Sequence, residues 1–506
     1  MKVYVRELVQ GSLLVEYPGA SEDSANRAAV AAARALSGRP GLLDAIPGAR
    51  TLFLTCGQGF DRAACERDLA GAAVTADATV AGRAVRIPVH YGGAAALDLA
   101  ELARGLGVSP EEVARRHAAA AYRVAFLGFA PGFGYCVGLP EELHASRLST
   151  PRTRVAAGTL AIGGSYTGVY PADTPGGWRL IGRSAARFFD PAGDPPTLLL
   201  PGDSVVFEPV GEETPPAGDR AAIAAGSRDG ETPLFRVHSP GLFTSLQGAP
   251  GYGRGAFGVP AGGAMDPVAL AGGNALVKKP SGAVALEMTL AGPELEVLAD
   301  CRAAVAGAPM EAELNGSAVG SARPFDLRRG DRLRLARAAS DVRAYLCVAG
   351  GLAVPPTQWQ TLRLSKGDVV ARADIRSAGT SWSPAGPRSA DGTVRVVLGP
   401  QEDRFGSAGI AAFLSQPWRV SASSDRRGVR LEGDPIRHEG SAEIEPEGTA
   451  PGAIQVPADG RPIVLGPDRP VTGGYAKIAT VEAADWPLVA QAGPGALLRF
   501  RAASPT

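Results

Sequence analysis

Long apolar runs, paired cysteines and lysine are scarce in this 506-residue chain. No stretch is apolar over the roughly 20 residues a membrane helix needs, so no membrane association is expected. The 5 cysteines, Cys56, Cys65, Cys136, Cys301 and Cys347, are odd in number, scattered and never spaced C-x-x-C. They read as reduced thiols of a cytoplasmic protein. The opening Met1-Lys2-Val3-Tyr4-Val5-Arg6 alternates like a strand and offers no signal segment. Lysine is confined to Lys2, Lys278, Lys279, Lys366 and Lys477; the arginine bias carries no chemistry by itself. Acidic and basic residues balance, so nothing electrostatic points to nucleic acid.

The missing motifs exclude further classes. There is no G-x-x-x-x-G-K-[ST] phosphate loop and no G-x-S-x-G elbow. Gly253-Arg254-Gly255-Ala256-Phe257-Gly258 matches G-x-G-x-x-G by chance, in a glycine-rich loop without a strand–helix context. His90, His117, His144, His238 and His438 are dispersed, so no metal site is expected. No A-M-K-M biotin-attachment motif exists; Ala264-Met265-Asp266 is a superficial echo. His117 reads as a packed residue more than as a base.

What is present is glycine and proline, 66 and 42 residues, punctuating many short strands. Residues 1–85 read as a small α/β domain, with Ser12–Tyr17 and Thr51–Thr55 as strands and Ser21–Leu36 as a capped helix. Residues 86–210 add helices at Asp98–Leu106 and after Ser109-Pro110-Glu111-Glu112, a capping box. They then turn to glycine-separated strands, a closed barrel or a sandwich. A Pro/Gly-rich linker covers 211–233. Two β modules follow, 234–390 and 391–506, divided by a soft seam at Ser381–Thr393. The fold class expected is mainly β with an α/β N-terminal domain.

Three loops carry the chemistry. Phe126–Pro140 breaks from a strand into a Pro-Gly loop studded with Phe129, Phe133 and Tyr135. These aromatics either wall a pocket for a small planar amide or fill a barrel mouth. Gly168–Arg183 carries Tyr170, Thr174, Gly176, Gly177 and Trp178; it is either a cradle of backbone N–H groups for an oxyanion or a tight hairpin. Gly452–Val481 holds Gln455, Asp468, Arg469, Thr472, Gly473, Gly474, Tyr475 and Lys477. That density of polar groups on adjacent strands favours function over a surface ion pair. A Gly-Gly pair followed by an aromatic occurs in both of the last two loops, suggesting a two-part protein.

These strings resemble two known families. Phe126–Pro140, Pro151-Arg152 and Gly168–Arg183 resemble allophanate hydrolase subunit 1, also called KipI or the B-type subunit of 5-oxoprolinase. Pro240-Gly241-Leu242, Gly258-Val259-Pro260, Gly263–Asp266, Ala285-Leu286-Glu287, Gly292-Pro293, Ser424-Asp425-Arg426 and Gly452–Val481 resemble the allophanate hydrolase subunit 2 family, KipA or the C-type subunit of 5-oxoprolinase. The resemblance covers nearly the whole chain, as a B–C fusion. It implies a cyclophilin-like β-barrel in the first half and tandem β-barrel modules in the second. It also implies that a separate A-type subunit works with this chain to open a cyclic amide, 5-oxoproline, with ATP and its magnesium counter-ion. Carried onto matching positions, Lys477, Asp468 and Thr472 are the catalytic candidates. Phe133, Tyr135, Arg152, Tyr170, Thr174, Gly176, Gly177, Trp178, Gln455, Arg469, Gly473, Gly474 and Tyr475 are the binding candidates.

The chain departs from the C-family pattern where Gln247 is followed by Gly248-Ala249-Pro250, where Gly262 stands for a serine, and after Gly350-Gly351, which is shortened. In the first half the usual G-P-D-L becomes Ala96-Leu97-Asp98-Leu99. Two alternatives therefore stand beside the ATP-dependent amidohydrolase: a carboxyltransferase component served by a biotin carrier and acting on urea or another amide, and a KipI-type regulator of a sensor histidine kinase. A homo-oligomer is compatible with any of the three.

Overall fold

The computed structural model describes residues 3–503, apart from 10, 19, 76–81, 149–150, 212–231, 321, 355–360 and 374–391. Residues 212–231 of the expected linker and most of the softer seam lie outside the described residues; Thr232 and Pro233, expected in the linker, already belong to strand Thr232–Ser239.

The N-terminal domain is a four-stranded antiparallel sheet in the order Tyr4–Val9, Ser12–Glu16, Thr51–Cys56, Leu42–Pro47. Helix Glu22–Leu36 starts where Ser21 Oγ accepts the Ser24 N–H at 3.2 Å. It buries Ala25, Ala28, Ala29, Ala32 and Leu36, one stripe at helical spacing. Leu13, Val15, Leu52 and Leu54 meet that helix, while Leu14, Ile46 and Phe53 point the other way onto Ala450, Ala453 and Val471. Period two puts successive residues on opposite faces. The unbroken apolar run Leu13-Leu14-Val15 reflects a sheet covered on both sides, the second cover being the far end of the chain.

The next strands form a closed seven-stranded barrel in the order Tyr166–Val169, Gly134–Val137, Tyr122–Leu127, Ser204–Pro209, Ala84–Tyr91, Arg179–Arg183, Thr159–Gly163. One pair is parallel, Ser204–Pro209 with Ala84–Tyr91. Helices Leu99–Leu106 and Pro110–Ala119 pack Leu99, Ala103 and Val113 into the barrel core. The second begins as the sequence predicts, with Ser109 Oγ accepting from the Glu112 N–H and proline in the first turn.

The second half holds two β modules. In the first, a six-stranded and a five-stranded sheet enclose one core that includes Phe235, Leu286, Leu295 and Leu346. In the second, an eight-stranded sheet wraps Val396, Phe413, Trp418 and Ile478. A two-stranded ribbon, Glu443–Gly448 with Thr472–Tyr475, sits beside it. Among the described residues the sheet that closes strand by strand is that of the first half; the second-half sheets keep open edges. The architecture is mainly β with an α/β N-terminal domain. No described helix is long and apolar enough to cross a membrane.

Candidate functional site at the seam between the halves

The three loops singled out by sequence converge. Phe129 takes a left-handed backbone, φ 62°, as the chain leaves the barrel, and its N–H donates to Thr472 Oγ1 at 3.1 Å. Thr472 also hydrogen-bonds Tyr135. A Cβ on Gly128 would lie 1.8 Å from Thr472 Oγ1, so only glycine leaves room for the Thr472 side chain against this loop. Close by, Gly132 N–H donates to Phe257 O at 2.9 Å. In the N-terminal domain, Ala49 N–H donates to Pro446 O at 2.8 Å. Both Asp44 oxygens lie 3.1 Å from Gly255 N.

A cavity of about 390 Å³ opens along this seam. The first half contributes Phe129, Ala130, Pro131, Asp173 and Thr174. The first β module contributes Gln247, Gly248, Arg254, Gly262, Gly263 and Thr361, and the last module contributes Arg427, Asp468 and Arg469. Gly262 and Gly263 have φ of 60° and 89°, which leaves main chain, not side chain, against the space. Three guanidiniums and glycine backbone make the lining suited to carboxylate or phosphate oxygens.

Two lining residues hold polar atoms that find no partner. Thr174 is 8% exposed with Oγ1 unpaired, and Arg469 is 4% exposed with Nη1 unpaired. Its Nε donates to Thr449 O at 3.0 Å. Burial lowers the Arg469 pKa to about 10, against the opposing pull of Tyr252, Asp44 and Asp468. Buried groups left unsatisfied are uncommon and call for a cause. Here two flank one cavity from opposite halves.

Behind Asp468 runs a buried network. Arg426 donates to both Asp468 oxygens at 2.9 Å, to Glu287 Oε1 at 2.6 Å and to Gly263 O at 2.6 Å. Glu287, fully buried, accepts in addition from Tyr345 Oη and Met265 N, each at 2.7 Å. Burial works against the Arg426 charge, but Glu287 and Asp468 hold its proton more firmly than usual. Thr361 Oγ1 donates to Asp468 Oδ2 at 2.6 Å and accepts from Gln247 Nε2 at 2.9 Å. An ionised carboxylate offers about four lone-pair sites. Arg426 and Thr361 take three of them on Asp468, leaving one for a ligand.

Of the residues chosen from sequence, Asp468, Arg469 and Thr174 line the cavity, and Thr472 clasps the seam. Phe133, Tyr135, Tyr170 and Trp178 form an edge-to-face aromatic cluster behind Phe129, with Phe133 5.4 Å from Tyr170 and 5.2 Å from Trp178. They fill the barrel mouth, and Phe129 is the member that reaches the cavity. Trp178 N–H donates to the Tyr170 hydroxyl. A Cβ on Gly176 would meet that hydroxyl at 2.3 Å, and Gly177 O accepts from Leu148 N at 2.7 Å. Arg152 pairs with the buried Asp98 at 2.7 Å. Gly473 leaves room for Gln455, whose Nε2 donates to Tyr475 O at 3.5 Å. Gly474 and Tyr475 pack on Arg147, which donates to Tyr475 Oη. Lys477 does not line the cavity: it is 1% exposed, its Nζ 2.5 Å from Glu447 Oε1.

Arg254, Arg427, Gln247, Thr361, Arg426 and Glu287 were not chosen from sequence. Glu287 left a signal: a carboxylate inside the apolar run Val284-Ala285-Leu286-Glu287-Met288, most of it strand Ala285–Thr289, must find a buried cation or stay unpaired. His117 is a core residue, with Nδ1 2.8 Å from Tyr91 Oη and Nε2 2.9 Å from Thr167 Oγ1.

The family profile "Carboxyltransferase domain, subdomain C and D" matches residues 3–199, and "Carboxyltransferase domain, subdomain A and B" matches 257–502. The B-type subunit of 5-oxoprolinase from Escherichia coli O157:H7 is 54% identical over 127 residues, 25% of this chain and 58% of that one. The chain thus spans under two thirds of the length of the B-type relatives it matches. The C-type subunit of 5-oxoprolinase from Escherichia coli K12 is 33% identical over 280 residues, 53% of this chain and 90% of that one. The crystal structure of TTHA0988 superposes with a TM-score of 0.83 at 34% identity, covering 98% of this chain and 100% of that one.

Proposed function

Because this chain belongs to the carboxyltransferase domain family, as a fusion of 5-oxoprolinase B-type and C-type subunits, we propose that it is the amide-handling component of a 5-oxoprolinase-type enzyme. With ATP and a separate A-type partner it opens 5-oxoproline or a related cyclic amide. The observation that carries this reading is a cavity built jointly by both halves, cationic and glycine-lined, with Thr174 and Arg469 left unsatisfied beside it.

A cyclic amide is a poor electrophile, and its carboxylate needs a cation. Arg254, Arg427 and Arg469 bind the carboxylate and any phosphate oxygens. The remaining acceptor site of Asp468 takes the amide N–H, its orientation fixed by Arg426 and Thr361. Phe129 and Pro131 exclude water from one side. The lining also fits the phosphate end of a nucleotide, whose oxygens Arg254, Arg427 and Arg469 would hold. ATP, when bound, supplies the phosphoryl group that makes the amide carbon electrophilic.

The test is direct. The chain, an A-type partner protein, ATP and 5-oxoproline are combined and glutamate is assayed. Absence of ATP-dependent glutamate, where an intact family enzyme forms it, overturns the proposal. The family's description favours a second reading, carboxyl transfer from a carboxylated biotin carrier to urea or another amide. Carboxylated urea formed with such a carrier, and no glutamate from 5-oxoproline, would select it.

A further inference from the structure

Among the described residues the N-terminal α/β domain lends none to the cavity wall, yet one of its carboxylates reaches the wall from behind. We propose that Asp44 is a positioning residue for the cavity: it holds the turn at 252–258 that brings Arg254 to the wall, so that the N-terminal domain sets the cavity's affinity for an anion. This rests on reading the cavity as the substrate site.

Asp44 is buried and uncommonly well provided with donors. Both oxygens lie 3.1 Å from Gly255 N, Oδ1 accepts from its neighbour Ala45 N at 3.1 Å, and the Gly253 amide donates as well. A carboxylate accepting several backbone N–H groups fixes the conformation of the segment that supplies them. That segment carries Arg254 to the cavity and Tyr252 to Arg469. Its far end is fixed by the first-half loop, through Gly132 N–H on Phe257 O and by Gly258, where a Cβ would lie 2.4 Å from Ala130 O. Asp44 is the clasp at the near end. Gly255 must be glycine for it to close, since a Cβ there would lie 2.5 Å from Ile46 and 2.8 Å from Asp44 Oδ2. The charges of Asp44 and Asp468 both act to keep Arg469 protonated, against its burial. The unpaired Nη1 of Arg469 is the group left for an anion.

The experiment compares Asp44→Ala and Asp44→Asn in the full chain, by calorimetric titration with 5-oxoproline and by amide hydrogen exchange. Asparagine keeps an oxygen for Gly255 N; alanine keeps none. The expected result is a loss of affinity of about tenfold in Asp44→Ala and little change in Asp44→Asn. Exchange at 253–258 should quicken in Asp44→Ala alone, with strands Ser12–Glu16 and Thr51–Cys56 still protected. Should Asp44→Ala unfold, Gly255→Ala, which displaces the same turn, carries the comparison with the same expected loss. Unchanged affinity in a folded Asp44→Ala protein, or an equal loss in Asp44→Asn, overturns the proposal. If the wild-type protein takes no 5-oxoproline, the substrate reading falls by itself and inorganic phosphate becomes the probe. The same ranking is then expected. Equal binding by wild type and Asp44→Ala, or no binding by either, overturns the role of Asp44.

Discussion

Thr472 Oγ1 accepts the backbone N–H of Phe129 across 343 residues of sequence, and Gly128 is the residue that lets it. One Gly-Gly strand of the second half thereby touches the loop leaving the first-half barrel. The seam and the cavity share this contact, so a change to it should register in both.

Gly128→Ala should separate the halves locally. The new methyl would sit 1.8 Å from Thr472 Oγ1, and overpacking of this kind costs about 1–3 kcal/mol. The urea midpoint should fall, and ligand affinity with it, while Thr472→Ser, which keeps the acceptor, stays near wild type. An unchanged midpoint in Gly128→Ala would show that the seam is looser than this contact implies.

Arg426→Met should be far more damaging than its single position suggests. It strands Glu287, fully buried, with Tyr345 Oη and Met265 N but without the cation it hydrogen-bonds. Breaking a buried pair from one side costs about 3–5 kcal/mol. The double variant Arg426→Met with Glu287→Gln should recover part of that loss, because the unpaired charge is gone. Thermal denaturation of the two proteins and wild type checks the order. Equal losses in single and double variants would argue against a charge-pair origin.

How far the sequence reached follows from range. The Ala stripe of Glu22–Leu36, the Ser109 cap and the alternating strands are local, and they read correctly because period and capping are local physics. Asp468, Arg469 and Thr174 were found because a polar cluster in β structure stands out by itself. Arg426 with Glu287 spans 139 residues and Asp44 with Gly255 spans 211, and no short-range pattern records such pairs. Lys477 stood out for the same reason as Asp468, membership of that polar cluster, but its partner is Glu447 and not the cavity. The aromatics of Phe126–Pro140 left pocket and packing both open; Phe129 turned outward by its positive φ while Phe133 and Tyr135 packed inward. That division depends on backbone geometry that aromatic spacing does not encode.

His117 gives a pH signature of the barrel core. Burial lowers its pKa from 6.5 to about 3, so the folded protein keeps it neutral where the unfolded chain takes up a proton. The unfolded state then binds more protons as pH falls. This stabilisation is complete above pH 6.5 and is lost on acidification toward pH 3, at about 1.4 kcal/mol per pH unit. His117→Gln should be weaker than wild type at neutral pH, because it cannot reproduce both the Tyr91 and Thr167 contacts. The gap should narrow below pH 6. Urea midpoints measured from pH 7 to pH 4.5 check this, and parallel curves for the two proteins would exclude His117 as the cause.

Thr174 separates binding from folding more cleanly than any other residue of the cavity. Its hydroxyl has no partner, and a buried hydroxyl without a hydrogen bond costs stability by its desolvation. Thr174→Val, which keeps the shape and removes the hydroxyl, should therefore leave the melting temperature unchanged or raise it. If the hydroxyl is retained for a ligand, the same change should weaken 5-oxoproline binding by about tenfold, the worth of one hydrogen bond in a desolvated site. Thr174→Ser should restore binding while losing only the methyl. Melting and titration of the three proteins give opposite signs for stability and affinity if the hydroxyl serves the ligand. A loss of stability in Thr174→Val together with unchanged affinity would assign Thr174 to the two-stranded ribbon formed by Thr174–Gly176 and Arg152–Val155 and remove it from the site.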